Sequence, residues 1–336
     1  MSVAAISDRV YLGSYLAPLA FALERADVTD IYINRPGELW LETLGGSIER
    51  HDVPALDAAL LPRLARQVAA LSHQGISRAH PLLSASLPDG SRIQVAAPPA
   101  TRGDYAIAIR KHVSADLTLD DYVRADAFRD VQAGTAKQDI ALEQVRTLID
   151  AGDVAGGLRA AVQGRLNILI SGGTSSGKTT FLNALIRDIP SNERLILIED
   201  TPEVRLTHEN AVGLIAARSA LGEAAVTAND LVSASLRMRP DRIILGELRG
   251  PEAFAFLRAI NTGHPGSMAT IHADSVERAF EQLALLVLEG GSTLQRGDIL
   301  AYVRNTVDVV LQFERSATGR GASAAYVRER VYGCPD

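Results

Sequence analysis

The first third of the chain alternates short apolar runs with turn-forming residues. Five strands are predicted from these runs, at residues 30–34, 38–42, 82–87, 91–96 and 105–110. Arg35-Pro36-Gly37 separates the first two runs, and this turn composition predicts a β-hairpin. Leucines spaced three and four residues apart over 55–72 predict a helix that covers one face of the sheet. The whole pattern is typical of an α+β domain.

The second half of the chain alternates strand-length apolar runs with helical periodicity. Strands are predicted at 166–171, 194–199, 242–246, 267–272 and 307–313, after helices at 139–151 and 154–163. Uninterrupted apolar runs indicate strands covered on both faces, which form largely parallel sheets with crossover helices. This half is therefore predicted to be an α/β domain. Its Ser/Gly/Ala-rich stretch at 316–325 is predicted to be an exposed loop.

Length and polarity divide the chain in two. A length of 336 residues suits two domains of roughly 100–200 residues each. Residues 112–137 are more polar and lack a sustained period, so they predict a linker with a short helical turn. The predicted division is an N-terminal α+β domain at 1–112, a linker at 113–137 and an α/β domain at 138–336.

An apolar segment near the start, residues 11–23, is predicted to be an amphipathic helix. Its partly buried side chains are expected to be Leu16, Leu19, Phe21 and Leu23. A signal-peptide core has a similar composition, but the basic leader is missing because Asp8 and Arg9 cancel. No run in the chain reaches the roughly 18 consecutive apolar residues that a membrane-spanning helix needs.

Composition and charge limit the classes of partner. The chain is 47% hydrophobic and 22% charged, which is ordinary for a globular protein. Its net charge of −6 argues against a chain-wide surface for polyanions, so no direct nucleic-acid readout is expected. The single cysteine, Cys334, has no partner for an intramolecular disulfide, which fits a reducing cytoplasm.

A glycine-rich loop follows the first apolar strand of the second half. Gly172-Gly-Thr-Ser-Ser-Gly177-Lys178-Thr179 has the spacing G-x-x-x-x-G-K-[ST], and a helical pattern follows it. In such a loop, a phosphate is surrounded by backbone N–H groups and by the N-terminus of the following helix. The lysine is expected to bridge the β- and γ-phosphates, and the Thr179 hydroxyl is expected to bind Mg²⁺. The predicted ATP-binding residues are Gly173, Thr174, Ser175, Ser176, Gly177, Lys178, Thr179 and Thr180.

Two acidic clusters lie where later strands are predicted to end. Glu199-Asp200-Thr-Pro-Glu203 follows the second strand, and the third strand ends in Glu247 before Arg249. Ligands of α/β sheets bind at the carboxyl ends of the strands. Hydrolysis needs carboxylates that orient water or hold the metal. Glu203 and Glu247 are therefore candidate bases, and Asp200 and Glu247 are candidate metal ligands. The alternative for Asp200 is a purely structural role in a turn. The alternative for Arg249 is a solvated surface charge.

Two histidines, His264 and His272, flank the fourth predicted strand. Metal ligation is disfavoured because no cysteine accompanies them and they lie at opposite ends of the strand. A neutral histidine can donate a hydrogen bond to a γ-phosphate oxygen, and that bond is lost when the γ-phosphate leaves. The alternative is that both histidines are half-buried structural residues. His272 is therefore included among the catalytic candidates.

Together these motifs resemble those of the secretion ATPase superfamily, most closely the type IV secretion and conjugal-transfer traffic ATPases. They are a Walker A loop at 172–179, an Asp box at 198–203, a Walker B stretch at 236–249 and a His box at 263–272; 28–37 and 87–95 resemble the family's amino-terminal domain. The resemblance implies a RecA-like P-loop NTPase domain, ATP and Mg²⁺ as cofactors, and Glu203 as the group that activates water. Ser175 departs from the glycine common in relatives, which puts the loop geometry in question.

The resemblance also implies a hexameric ring of two-domain subunits with nucleotide between the domains. Arginines from the amino-terminal half are then expected to reach the phosphates, and the matching candidates are Arg92, Arg102 and Arg110. The expected function is an ATPase that powers or gates a type IV secretion system. The expected location is the cytoplasm, with inner-membrane components of that machine as partners and possible peripheral membrane contact.

Four alternatives are weighed on the sequence alone. A type II secretion motor is disfavoured because a tetracysteine zinc module needs more than the one cysteine present. A pilus motor stays open within the same superfamily. A nucleotide-regulated docking hub with slow hydrolysis belongs to a different functional class, and comparing turnover with and without a partner or lipid separates it from a motor. A ring that pumps DNA lacks support from the net charge.

Overall fold

The computed structural model describes residues 11–112, 118–124, 126–128, 137–217, 222–316 and 319–333. The strands form two sheets, one of six strands from the first part of the chain and one of eight from the second. The predicted linker lies partly outside the described residues, and Cys334 lies wholly outside them. The exact domain boundaries stay a prediction.

The first sheet is antiparallel throughout, in the order β3-β2-β1-β6-β5-β4. Its strands are β1 (Val28–Ile33), β2 (Glu38–Thr43), β3 (Ile48–Asp52), β4 (Leu82–Ser86), β5 (Arg92–Ala96) and β6 (Ala106–Arg110). The predicted helix is α2 (Leu60–Leu71), which buries Leu61, Leu64 and Val68. Strand β3 was not predicted because it is a half-exposed edge strand whose sequence, Ile-Glu-Arg-His-Asp, carries no apolar alternation.

The apolar segment near the start is helical. Residues 11–16 are helical and continue into a 3₁₀ turn, Ala17–Leu19, and α1 (Ala20–Glu24). Leu19 is fully buried and Leu16 and Leu23 are half-buried, as predicted. Phe21 is 43% exposed instead, and its ring meets the His51 ring edge-on at 5.6 Å.

The second sheet has the order β14-β13-β12-β7-β11-β10-β8-β9, with β12 through β9 parallel. Its strands are β7 (Ile168–Gly172), β8 (Leu195–Glu199), β9 (Ala211–Ile215), β10 (Arg242–Leu248), β11 (Met268–Ile271), β12 (Val309–Ser316), β13 (Gly319–Val327) and β14 (Arg330–Gly333). The parallel order places the ends of β7, β8, β10 and β11 along one edge of the sheet.

Helices cover both faces of this sheet. They are α4 (Lys137–Asp150), α5 (Val154–Gln163), α6 (Lys178–Arg187), α7 (Ala228–Ser235), α8 (Glu252–Asn261), α9 (Val276–Glu289) and α10 (Arg296–Thr306); a short α3 (Leu119–Arg124) lies within the predicted linker. One hydrophobic cluster lies on each face of the sheet, so the strands are buried on both sides. Within the described ranges, no helix combines the length and apolar character needed to cross a bilayer.

The prediction of a loop at 316–325 was wrong. Strand β13 occupies most of that stretch and pairs with β12 in an antiparallel hairpin. Small and polar residues suggest a loop, but β12 offers backbone hydrogen-bonding partners that local composition does not reveal. The described strand ends at Ser316 and Gly319 are exposed, and β12 continues beyond its pairing with β7, which ends at Phe313.

The two sheets are joined through the edge strand β9. Thr101, from the loop between β5 and β6, forms a β-bridge with Leu214. The Arg102 backbone N–H donates to the Gly213 carbonyl at 2.9 Å. Just before the start of β8, the fully buried guanidinium of Arg194 lies 4.1 Å above the Tyr32 ring, a cation–π contact between the two parts of the chain. The first part therefore docks along β8 and β9, and its Thr101 loop lies at the end of β8 that carries the acidic cluster.

Candidate active site

The loop between β7 and α6 has the backbone of a phosphate-binding turn. Gly172 has a φ of +155°, and a Cβ there would lie 2.4 Å from the carbonyl oxygen of Phe313 on β12. Only glycine allows this close approach. Ser175 has a φ of +60°, in the left-handed region that disfavours a side chain. The serine thus adopts a backbone conformation that glycine accepts at lower cost.

Lys178 begins α6 and is only 7% exposed. Its ammonium donates hydrogen bonds to the carbonyls of Gly172 at 2.7 Å and Gly173 at 2.8 Å. Burial lowers the pKa of Lys178, and the negative charge of Glu247 opposes that effect. The lysine is therefore held within the loop, with a carboxylate close enough to favour its charged form.

A cleft of about 400 Å³ brings the predicted residues together. Its lining includes the loop residues 174–180, the acidic residues Glu199, Asp200, Glu203 and Glu247, and also Arg249, Thr270, His272 and Arg320. These side chains come from loops and strands far apart in sequence. They meet because β7, β8, β10 and β11 are parallel and end at the same edge.

Glu247 lies at the centre of a charged group within the cleft. Its carboxylate pairs with Arg249, and its Oε1 lies 2.6 Å from His272 Nε2. The Arg249 guanidinium also donates to Asp200 Oδ2 at 2.9 Å. The Arg249 side chain is 62% exposed, so it is a surface charge that also links the two acidic clusters.

Glu199, the last residue of β8, is buried behind the acidic loop. Its Oε1 accepts hydrogen bonds from the backbone N–H groups of Glu203 at 3.1 Å and Val204 at 2.9 Å. The sequence predicts no separate role for Glu199, although a carboxylate at the end of an apolar strand is typical of a ligand-binding edge. The contacts fix the backbone from which the Glu203 side chain extends.

Arg102 lies against this loop from the other part of the chain. Its guanidinium forms an ion pair with Glu199 and donates to the Val204 carbonyl at 2.7 Å. Burial lowers the pKa of Arg102. A Cβ at Gly213 would lie 2.4 Å from Arg102 Cδ, so glycine at this position makes room for the side chain. Within one chain, Arg102 therefore supports the Glu203 loop from behind rather than lining the cleft.

Replacing Arg102 with alanine is expected to lower the free energy of unfolding by about 3 kcal/mol, because it leaves Glu199 buried without its cation. The matched control is Arg78→Ala, which removes an ion pair with Glu223 between the same two parts of the chain. Both of these partners are exposed, so the control should cost less than about 1 kcal/mol. Urea unfolding measures both values, and equal losses would contradict a special role for the buried pair.

Arg92 and Arg110 lie elsewhere. They are directly opposite each other on β5 and β6, and Arg110 Nε donates to Asp30 Oδ1 at 3.0 Å. With Arg237 they line a separate cavity of about 540 Å³. The structure therefore separates these two arginines from the P-loop cleft of their own chain, and their contact with nucleotide stays a prediction.

The two histidines have different surroundings. His272 lines the cleft, whereas His264 is half-buried and its Nδ1 donates to the Pro240 carbonyl at 2.8 Å. Burial lowers the pKa of His264. Of the pair, only His272 is placed to meet a phosphate.

Comparison with known proteins decides the family. The sequence matches the family described as "Type II/IV secretion system protein" over residues 15–318. The chain belongs to this family. Among its relatives, the type IV secretion system protein VirB11 of Bartonella quintana is 39% identical over 314 residues, covering 89% of this chain and 88% of the relative. The type IV secretion system protein PtlH of Bordetella pertussis is 38% identical over 329 residues, covering 96% and 95%.

A solved structure of the family agrees with the fold. The crystal structure of the VirB11 ATPase from the Brucella suis type IV secretion system, in complex with sulphate, is 38% identical and covers 97% of each chain, with a TM-score of 0.91. The expectations of a two-domain α/β secretion ATPase fold and of a type IV secretion ATPase are confirmed. This family member is therefore an ATPase of the type IV secretion class rather than a pilus or type II motor.

Proposed function

We propose that this secretion ATPase binds ATP with its triphosphate on residues 173–180 and hydrolyses it in the cleft at the edge of the second sheet. The observation that carries the proposal is the convergence of the P-loop, Glu203, Glu247 and His272 on one cleft. Backbone N–H groups of the loop and the N-terminus of α6 attract the phosphates. The Lys178 ammonium, now bonded to loop carbonyls, exchanges those partners for phosphate oxygens.

Glu203 is the preferred base. Its backbone is held by Glu199, and within the described residues its carboxylate has neither an ion pair nor a hydrogen bond. Glu247 is paired with Arg249 and lies against His272, so its carboxylate oxygens already have partners. Glu203 is therefore the carboxylate whose oxygens are better placed to contact the attacking water and to accept its proton.

The cleft also suits a magnesium ion. The Thr179 hydroxyl and the carboxylates of Asp200 and Glu247 line it, and these are the oxygen donors that Mg²⁺ takes together with phosphate oxygens. Bound there, Mg²⁺ would neutralise part of the charge on the phosphates. Arg249 pairs with both carboxylates and so keeps Asp200 and Glu247 close to one another at this position.

His272 is proposed as the group that responds to the γ-phosphate. It lies beside Glu247 at the end of β11, and its side chain is 44% exposed to the cleft. Hydrogen bonding to a phosphate oxygen competes with the contact to Glu247. Loss of the γ-phosphate after hydrolysis then returns His272 to Glu247, which couples the chemistry to a change in local contacts.

A hexameric ring is proposed as the working assembly. Arg92 and Arg110 lie outside the cleft of their own chain, so they contact a nucleotide only through a neighbouring copy or a movement of the two domains. A ring supplies such neighbours, and hydrolysis would then move one domain relative to the other. The proposed location is the cytoplasmic side of the inner membrane, in contact with inner-membrane components of the secretion system.

Mass in solution and phosphate release, measured on the same fraction, test this function. With Mg²⁺ and ATP, the purified chain is expected to have six times the mass of one subunit and to release phosphate. A ring that does not hydrolyse ATP, even when lipid or a partner is added, would favour the docking hub. Hydrolysis by a particle that stays monomeric would contradict the ring.

A further inference from the structure

The hairpin formed by β12 and β13 lies beside the P-loop. In the parallel pairing of β12 with β7, Gln312 is opposite Ser171 and Phe313 is opposite Gly172. Strand β7 ends there and the P-loop begins, whereas β12 continues to Ser316. The exposed end of the hairpin therefore lies alongside the loop that is proposed to hold the triphosphate.

Arg320, near the start of β13, lines the cleft from this hairpin. A Cβ built on Gly177 would lie 3.7 Å from Arg320 Cδ and 3.8 Å from its Cβ, so the stem of the arginine packs over the loop. The side chain is exposed, and among the described residues no carboxylate forms an ion pair with it. A guanidinium over a P-loop is a geometry suited to phosphate oxygens, which it binds with parallel N–H donors.

The strand order shows which part of a nucleotide Arg320 would meet. Glu203, Glu247 and His272 follow β8, β10 and β11, which all lie on one side of β7. The hairpin lies on the other side of β7. With the γ-phosphate facing the catalytic glutamates, the opposite side of the P-loop faces the part of the nucleotide that ATP and ADP share.

We propose that Arg320 is a further nucleotide-binding residue, which binds the diphosphate portion common to ATP and ADP. The proposal rests on the placement of ATP proposed above. A contact made equally in the ground state and the transition state changes KM and leaves kcat nearly unchanged. Arg320 should therefore strengthen the binding of both nucleotides without taking part in the hydrolysis step.

The test compares Arg320→Ala with Arg315→Ala in the full-length chain. Arg315 is directly opposite Arg320 across the hairpin and carries the same charge, but it is absent from the residues that line the cleft. We expect Arg320→Ala to raise the Kd for ADP and the KM for ATP together by about tenfold, the size of one lost charge-assisted hydrogen bond, with kcat within about twofold. Arg315→Ala should change neither constant by more than about twofold.

Three results would overturn the inference. The first is an unchanged ADP Kd in Arg320→Ala, and the second is a fall in kcat with unchanged KM. The third is equal weakening by both variants, which would indicate long-range charge rather than contact. Arg320→Gln keeps the stem over Gly177, so it serves as the second variant where Arg320→Ala does not fold, and the same rise in ADP Kd is expected of it.

Lys178→Ala separates this inference from the function on which it rests. Loss of ADP binding in Lys178→Ala, together with normal binding in Arg320→Ala, rejects only the role of Arg320. Normal ADP binding in Lys178→Ala rejects the P-loop site itself and the inference with it.

Discussion

Replacing Lys178 with alanine is expected to reduce ATP turnover by about a hundredfold or more, because it removes a preorganised positive charge from the phosphates. The lysine is buried and held by the carbonyls of Gly172 and Gly173, so its charge is positioned before nucleotide arrives. Phosphate release under saturating Mg²⁺ and ATP measures the effect.

The control for this variant is Lys137→Ala. Lys137 is an exposed lysine at the start of α4, and its replacement makes the same change in net charge away from the cleft. Lys137→Ala should hydrolyse ATP at the rate of the unsubstituted chain. Both variants should unfold at nearly the same temperature as the unsubstituted chain. A Lys178→Ala variant that is folded and still fully active would reject the P-loop cleft as the site of hydrolysis.

Replacing Glu203 with glutamine is expected to slow hydrolysis by about a hundredfold to ten-thousandfold, the usual contribution of a general base. The amide keeps the size of the side chain, and the backbone contacts to Glu199 do not involve the group that changes. Binding of ATP should therefore persist. After mixing with Mg²⁺ and ATP and removal of free nucleotide, the variant should retain ATP where the unsubstituted chain retains ADP.

Glu247→Gln is the comparison that assigns the base. This change removes a negative charge from the group formed by Arg249 and His272, so it alters the support of the phosphates rather than the proton acceptor. Normal hydrolysis by Glu203→Gln together with trapped ATP in Glu247→Gln would move the role of base to Glu247.

Much of the cleft was predictable because its residues follow strands in a regular way. The spacing of Lys178 after an apolar strand identifies the P-loop, and the parallel-sheet rule brings Glu203 and Glu247 to the same edge. Each signal is local in sequence and needs only the direction of its own strand. The roles of Lys178, Glu203 and Glu247 in catalysis stay predictions for the experiments above.

Other features depend on pairing and packing that local composition does not reveal. The pairing of β13 with β12 turns a Gly/Ser/Ala-rich stretch into a strand and brings Arg320 to the P-loop, which local composition does not predict. Within this chain, the buried Glu199 carboxylate and the absence of a side chain at Gly213 allow Arg102 to lie behind the acidic loop, so the expected contact of Arg102 with the phosphates stays a prediction. This placement of Arg102 follows from docking of one part of the chain on the other, for which no motif exists.

The measurement that tests the central claim most directly is an experimental structure of the Glu203→Gln variant with Mg²⁺ and ATP. The account predicts the triphosphate on residues 173–180, with Lys178 on phosphate oxygens and the γ-phosphate facing Gln at position 203 and Glu247. ATP bound elsewhere on the chain, or a γ-phosphate that faces away from both of these side chains, would contradict it.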